Sequence, residues 1–215
     1  MAFFDQLCNA TAAEQQYLLS APAITDTFAG KISLTRYTAF LTQAYHHVKH
    51  TVPLLMAAGA RLTDRDEWLR KAIVEYIDEE YGHHEWILND LKACGADAEA
   101  IRYSQPHFTT ELMVSYVYDQ INRVHPASFF GMVHVLEGTS VAMATQAAGE
   151  IKSALGLPPK AFSYLTSHGS LDQEHVAFFE ELMNQLSDET AQQAVIHTCK
   201  VVYKLYGDMF RALPE

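Results

Sequence analysis

The chain has 215 residues, 49% of them hydrophobic and 19% charged, with a formal charge of −11 and 11 histidines. That length supports one sizeable core, so residues 1–215 are read as a single domain. The negative charge and the lack of any Lys/Arg cluster argue against nucleic acid as a partner. No run of about 18 apolar residues is present, which argues against a membrane span, and MAFFDQLCNATAAEQQ lacks the flanks of a signal peptide. The expected location is therefore the cytoplasm. Cys8, Cys94 and Cys199 are too far apart for paired metal-site spacing and read as reduced packing residues.

Apolar residues recur at three- and four-residue spacing and strict alternation is missing, so the expected fold is all-α. A first helix over Phe3 to Ser20 ends at the Ala-Pro-Ala segment around Pro22, and a short piece follows. Ser33 caps a predicted helix from Leu34 to about Gly59, kinked at Pro53. Thr63, with Asp64 and Asp66 behind it, starts a helix expected to run to Cys94-Gly95. After the loop DAEAIRYSQPH, helical pattern resumes at Phe108, is interrupted at His125-Pro126 and continues to Gly156. Pro158 and Pro159 open a helix reaching about Leu186. Ser187, followed by Asp188 and Glu189, caps a last helix ending near Leu213.

The sharpest chemical signal is SHGSLDQEHVAFF. His168, Asp172 and His175 stand at i, i+4 and i+7 and share one helix face, a donor set that iron, manganese or zinc accepts. A solvated polar stripe is the alternative. In DEEYGHHEWILNDL, Glu80 and His83 at i and i+3 make a second half-site, although a charged helix face explains that pair equally well by itself. Glu137 sits in FFGMVHVLEGTSVAMA with nothing basic close to it in sequence. A carboxylate there coordinates a metal or binds a proton.

In order, Glu80 and His83, then Glu137, then His168, Asp172 and His175 resemble the pattern of the haem-oxygenase-like di-iron oxidases. That pattern is Glu-x-x-His or a longer spacing, a single Glu, then His-x-x-x-Asp-x-x-His. The likeness spans most of the chain. It implies a haem-oxygenase-like (TenA-like) helical bundle of about seven to eight helices. It also implies two Fe(II) per chain, with manganese or partial occupancy as variants, and O2 as co-substrate. A small organic acid or amine as substrate, an electron donor and a homodimer follow from the same likeness. The superfold also carries haem oxygenases, thiaminases and a cofactorless quinone-forming oxidase. The mid-chain nucleophilic cysteine of a thiaminase is missing, and no histidine precedes His46 to serve as a haem ligand. A metal-free TenA-like hydrolase or small-molecule-binding protein is the alternative.

Phe129, Phe130, Met132, Met143, Tyr164 and Leu165 are expected to line an apolar pocket, with Tyr45 or Tyr81 as a redox tyrosine near it. His46, His47 and His50 form a histidine group from which one ring is expected to reach the cavity. His84 and His134 are not expected to be ligands.

Overall fold

The computed structural model spans residues 1–215 and describes them all apart from the side chains of residues 168–175. Eleven α-helices and three short 3-10 turns are present, with no strand among the described residues. The helices are α1 (Phe3–Leu19), α2 (Pro22–Phe28), α3 (Leu34–Val48), α4 (Thr51–Arg61), α5 (Glu67–Glu80), α6 (His83–Ala93), α7 (Ala98–Arg102), α8 (Phe108–Arg123), α9 (Phe129–Leu155), α10 (Ser163–Gln185) and α11 (Glu189–Arg211). Chain breaks follow local chemistry. The Ser33 hydroxyl accepts from the Arg36 amide and starts α3, and Gly156 ends α9 in the left-handed region at φ 64°. Asp188, one residue after the expected Ser187, caps α11 by accepting from the Thr190 amide.

Two expected long helices are each broken in two. The first breaks at Lys49-His50. Pro53 has no N–H to give, and its ring would clash with the carbonyl four residues back, that of Lys49. The chain answers by ending one helix and starting another, with Pro53 in the first turn of α4. The second breaks at Tyr81-Gly82, where Tyr81 is extended and Gly82 adopts φ 95°, open to glycine at little steric cost. Glu80 and His83 therefore lie on two helices, not on one face of one.

Two apolar clusters fill the interior. One joins α1, α4, α5, α8, α11 and the first half of α9, around Leu7, Leu54, Tyr76, Phe130 and Tyr203. The other joins α3, α6, the second half of α9 and the start of α10, around Tyr37, Leu41, Ile87, Ile151 and Phe162. The long helix α9 belongs to both. Its closest neighbour contact is at Gly131, where an added Cβ would stand 2.6 Å from the Cys199 nitrogen and 2.6 Å from the Val195 oxygen of α11. Only a glycine lets these two backbones approach so closely.

Candidate metal centre

Between the two clusters lies a cavity of about 150 Å3. Its walls are mostly apolar and include Phe129, Met132, Met143, Tyr164 and Leu165 from the expected pocket set, whereas Phe130 is packed in the core behind. Glu80 and Glu137 both line it. They arrive differently. Glu137 projects from the third turn of α9, whereas Glu80 is the last residue of α5, beside carbonyls that carry the negative end of the helix dipole. Two negative features at one spot make a costly place for an anion and a favourable one for a cation.

His83 opens α6 and is 4% exposed. Its Nδ1 stands 3.1 Å from Glu80 Oε2, and its ring stacks on Trp86 at 4.1 Å between centroids. The helix break has thus kept the i, i+3 pair in contact by a route the periodicity did not foresee: the turn through Gly82 folds the two ends onto each other. His83 is not among the residues that line the cavity and reaches it through its contact with Glu80.

His168, Asp172 and His175 lie outside the described residues. Among the described residues no group of three or more His, Cys, Asp or Glu side chains converges as a metal cage would. The helix that carries this triplet is anchored by a feature the sequence did not advertise. Buried Asp90 of α6 accepts from the Ser163 and Tyr164 amides at 3.0 and 2.8 Å and from the Ser163 hydroxyl, capping the start of α10 from a neighbouring helix. Burial pushes the Asp90 carboxyl up, with the three donated hydrogen bonds opposing.

A tyrosine is present at the site, but not either of those expected. Tyr81 is 78% exposed, and the Tyr45 hydroxyl donates to the Arg102 carbonyl away from the cavity wall. Tyr76 of α5 lines the cavity and is fully buried. Burial holds its phenol well above the usual range, and the charges of Glu137, Glu79 and Glu80 add to that. It precedes Glu80 by one helical turn, the spacing that could have found it.

Of the remaining histidines, His47 reaches the cavity, its ring edge-on to Tyr206 at 5.7 Å. His46 is turned away, 2.9 Å from the Ser104 hydroxyl, and is pushed down to about 4 by burial and then by Lys49. His50 meets the Tyr118 hydroxyl at 3.3 Å, and His84 lies 3.3 Å from Glu85 on the surface. His134 points into an aromatic nest of Phe4, Phe179 and Tyr203. None of Cys8, Cys94 and Cys199 lines the cavity. No helix among the described residues is long and apolar enough to cross a membrane.

Comparison with solved structures supports the fold. A domain of unknown function with a haem-oxygenase-like fold from Shewanella denitrificans OS217 superposes with a TM-score of 0.88 at 20% identity, covering 99% of this chain and 92% of that one. A TenA homologue from Pseudomonas syringae pv. tomato DC3000 gives 0.82 at 13% identity, with 99% and 92% coverage. Haem oxygenase from Leptospira interrogans gives 0.77 at 16% identity, with 99% and 100% coverage. No curated protein sequence matches the chain. A family model described as iron-containing redox enzyme matches residues 38–207. The chain therefore belongs to the haem-oxygenase-like family of iron-containing redox enzymes.

Proposed function

We propose that the protein is a non-haem di-iron, O2-dependent oxidase or oxygenase acting on a small organic acid or amine, its irons held by Glu80, His83, Glu137, His168, Asp172 and His175. The observation that carries this is the opening of two carboxylates from separate helices, Glu80 and Glu137, on one apolar cavity, with an imidazole in contact with one of them. The donor types fit. Carboxylate oxygen and imidazole nitrogen suit iron and manganese, and a divalent cation offsets the charge that two glutamates bring to an apolar site.

When bound, the metal pair would supply the reduction of dioxygen that this protein's side chains cannot perform. The chain's own residues do the rest. The apolar wall from Phe129 to Leu165 keeps bulk water from the reacting carbon and holds the substrate's hydrocarbon part. Tyr76 holds its proton on Oη at the cavity wall, and His83 fixes the orientation of Glu80 through Nδ1.

The test is anaerobic titration of metal-free protein with ferrous iron, followed by oxygen exposure. Two irons per chain are expected, with binding abolished by Glu137→Ala and by His168→Ala. Failure of the wild-type protein to bind iron would sink the reading. It would bring forward a metal-free hydrolase or small-molecule-binding protein, which the likeness to a TenA homologue keeps in view. A cysteine nucleophile for that hydrolase has no support, since no cysteine reaches the cavity.

A further inference from the structure

The cavity has a cation of its own. Arg36, in the first turn of α3, is 8% exposed and lines the same cavity as Glu80 and Glu137. Its charge is not spent on either glutamate. Nε donates to the Pro214 carbonyl at 2.7 Å, and Nη1 donates to Asp26 at 2.9 Å, a carboxylate whose side chain is 38% exposed. A guanidinium carries five N–H donors, and among the described residues Nη2 has no protein partner.

Position matters as much as charge. Arg36 and Ile32 also line a polar recess outside the cavity, formed by Asp26, Lys31, Ser33 and Glu215. Arg36 thus stands at the partition between the recess and the apolar interior. His47, in the last turn of α3, lines the same cavity, 11 positions on from Arg36, which is about 16 Å at the helical rise. Between them the wall is Phe40 stacked on Phe210.

We infer that Arg36 is the anchor for the carboxylate of the substrate, and that the substrate class is a monocarboxylic acid with an apolar body. The inference rests on the reading of this cavity as the substrate site, and it narrows acid or amine to acid. A guanidinium donates two parallel N–H···O bonds to a carboxylate, which fixes both position and orientation. The apolar body then lies along Phe40 and Phe210. Since a cavity of this volume accommodates a benzene-sized solute, a body of about six carbons is the natural starting probe. Asp26 competes for the same guanidinium from the recess side, so acid binding exchanges one carboxylate partner for another and avoids stranding a buried charge.

Titration of the protein with hexanoate, 1-hexanol and hexylamine, without metal and after anaerobic loading with ferrous iron, tests this. Hexanoate is expected to bind about tenfold or more tighter than hexanol in both states, the advantage of a charge-assisted pair. Arg36→Gln should bring the two ligands to parity while leaving hexanol binding and iron stoichiometry unchanged. Asp26→Asn, which keeps the guanidinium and removes its competitor, should tighten hexanoate and guards against misfolding of the first variant. An acid preference that appears only with iron and survives Arg36→Gln would overturn the inference, because the carboxylate would then be bound at the metal. Tighter binding of hexylamine, or no tightening in Asp26→Asn, would overturn it as well. Because the metal-free arm contains no iron, a failed di-iron reading leaves the Arg36 result standing.

Discussion

The two carboxylates of the cavity are delivered by opposite kinds of structure. Glu137 sits inside a 27-residue helix pressed against α11, eight residues after its start at Phe129. Glu80 and His83 sit on either side of a helix break, held by a turn through one glycine at φ 95°. The first arrangement fixes a side chain by the packing of a whole seam. The second relies on a local turn and on short contacts across it, among them the 3.1 Å approach of His83 Nδ1 to Glu80 Oε2. The cavity thus receives one carboxylate held by extended packing and one held at a turn, and on the proposed reading the first would stay in place while the second could turn.

Breaking the rigid side should give the largest effect. Gly131→Ala places a methyl 2.6 Å from two backbone atoms of α11, where no side chain can move aside. The helices must separate, at a cost of about 3 kcal/mol or more, read as a lowered midpoint in chemical denaturation. Iron binding should fall with it, since Glu137 rides on the displaced helix.

The same side holds a pH dependence that sharpens the contrast. Burial drives His134 of α9 down from 6.5 to about 4. The folded state therefore favours the neutral ring, and this contribution is complete above pH 6.5 and lost as pH falls towards 4. The gap corresponds to about 3 kcal/mol at most. Thermal melts of metal-free protein between pH 7 and 4 should drop less steeply in His134→Phe than in wild type. Equal slopes would mean that the ring is solvated in the folded state and the seam looser than described.

How much of this was legible in the sequence depended on whether the signal was local. Apolar spacing identified the all-α fold, Ser33 announced the start of α3, and the His125-Pro126 interruption and the Gly156 stop fell where expected. The breaks at Lys49-His50 and Tyr81-Gly82 were missed because apolar periodicity runs on through them. In the sequence Pro53 reads as a kink, and Gly82 does not stand out inside a charged stretch. Glu137 stands out in the sequence because an acid in an apolar run is conspicuous, and it lines the cavity together with Glu80. Tyr76, Asp90 and Arg36 could not be found in the same way. Each acts through a partner 60 or more residues away or through a cavity that exists only after folding: Asp90 through Ser163 and Tyr164, Arg36 through Pro214. Tyr76 had the spacing to be noticed, but a tyrosine in an amphipathic helix ordinarily reads as core.

The smallest effect expected on stability is the most informative about the turning side. Gly82→Ala meets no atom within 4 Å, so its whole cost is the left-handed backbone, about 1 kcal/mol. Gly138→Ala, also with nothing within 4 Å but inside α9, should instead stabilise by about 0.5–1 kcal/mol through helix propensity. The two substitutions add the same methyl to equally open space and differ only in the backbone beneath it. If the Gly82 turn does no more than connect two helices, its alanine variant will lose that stability and bind iron as wild type does. If the turn holds Glu80 against His83 for the metal, relaxing Gly82 towards negative φ must swing the start of α6 away from the end of α5. Iron affinity should then fall by about tenfold, the scale seen when a ligand's supporting contact is lost, while Gly138→Ala leaves it unchanged. Titrating both variants with ferrous iron alongside their melts separates the outcomes, because only the second couples a small stability change to a large change in affinity.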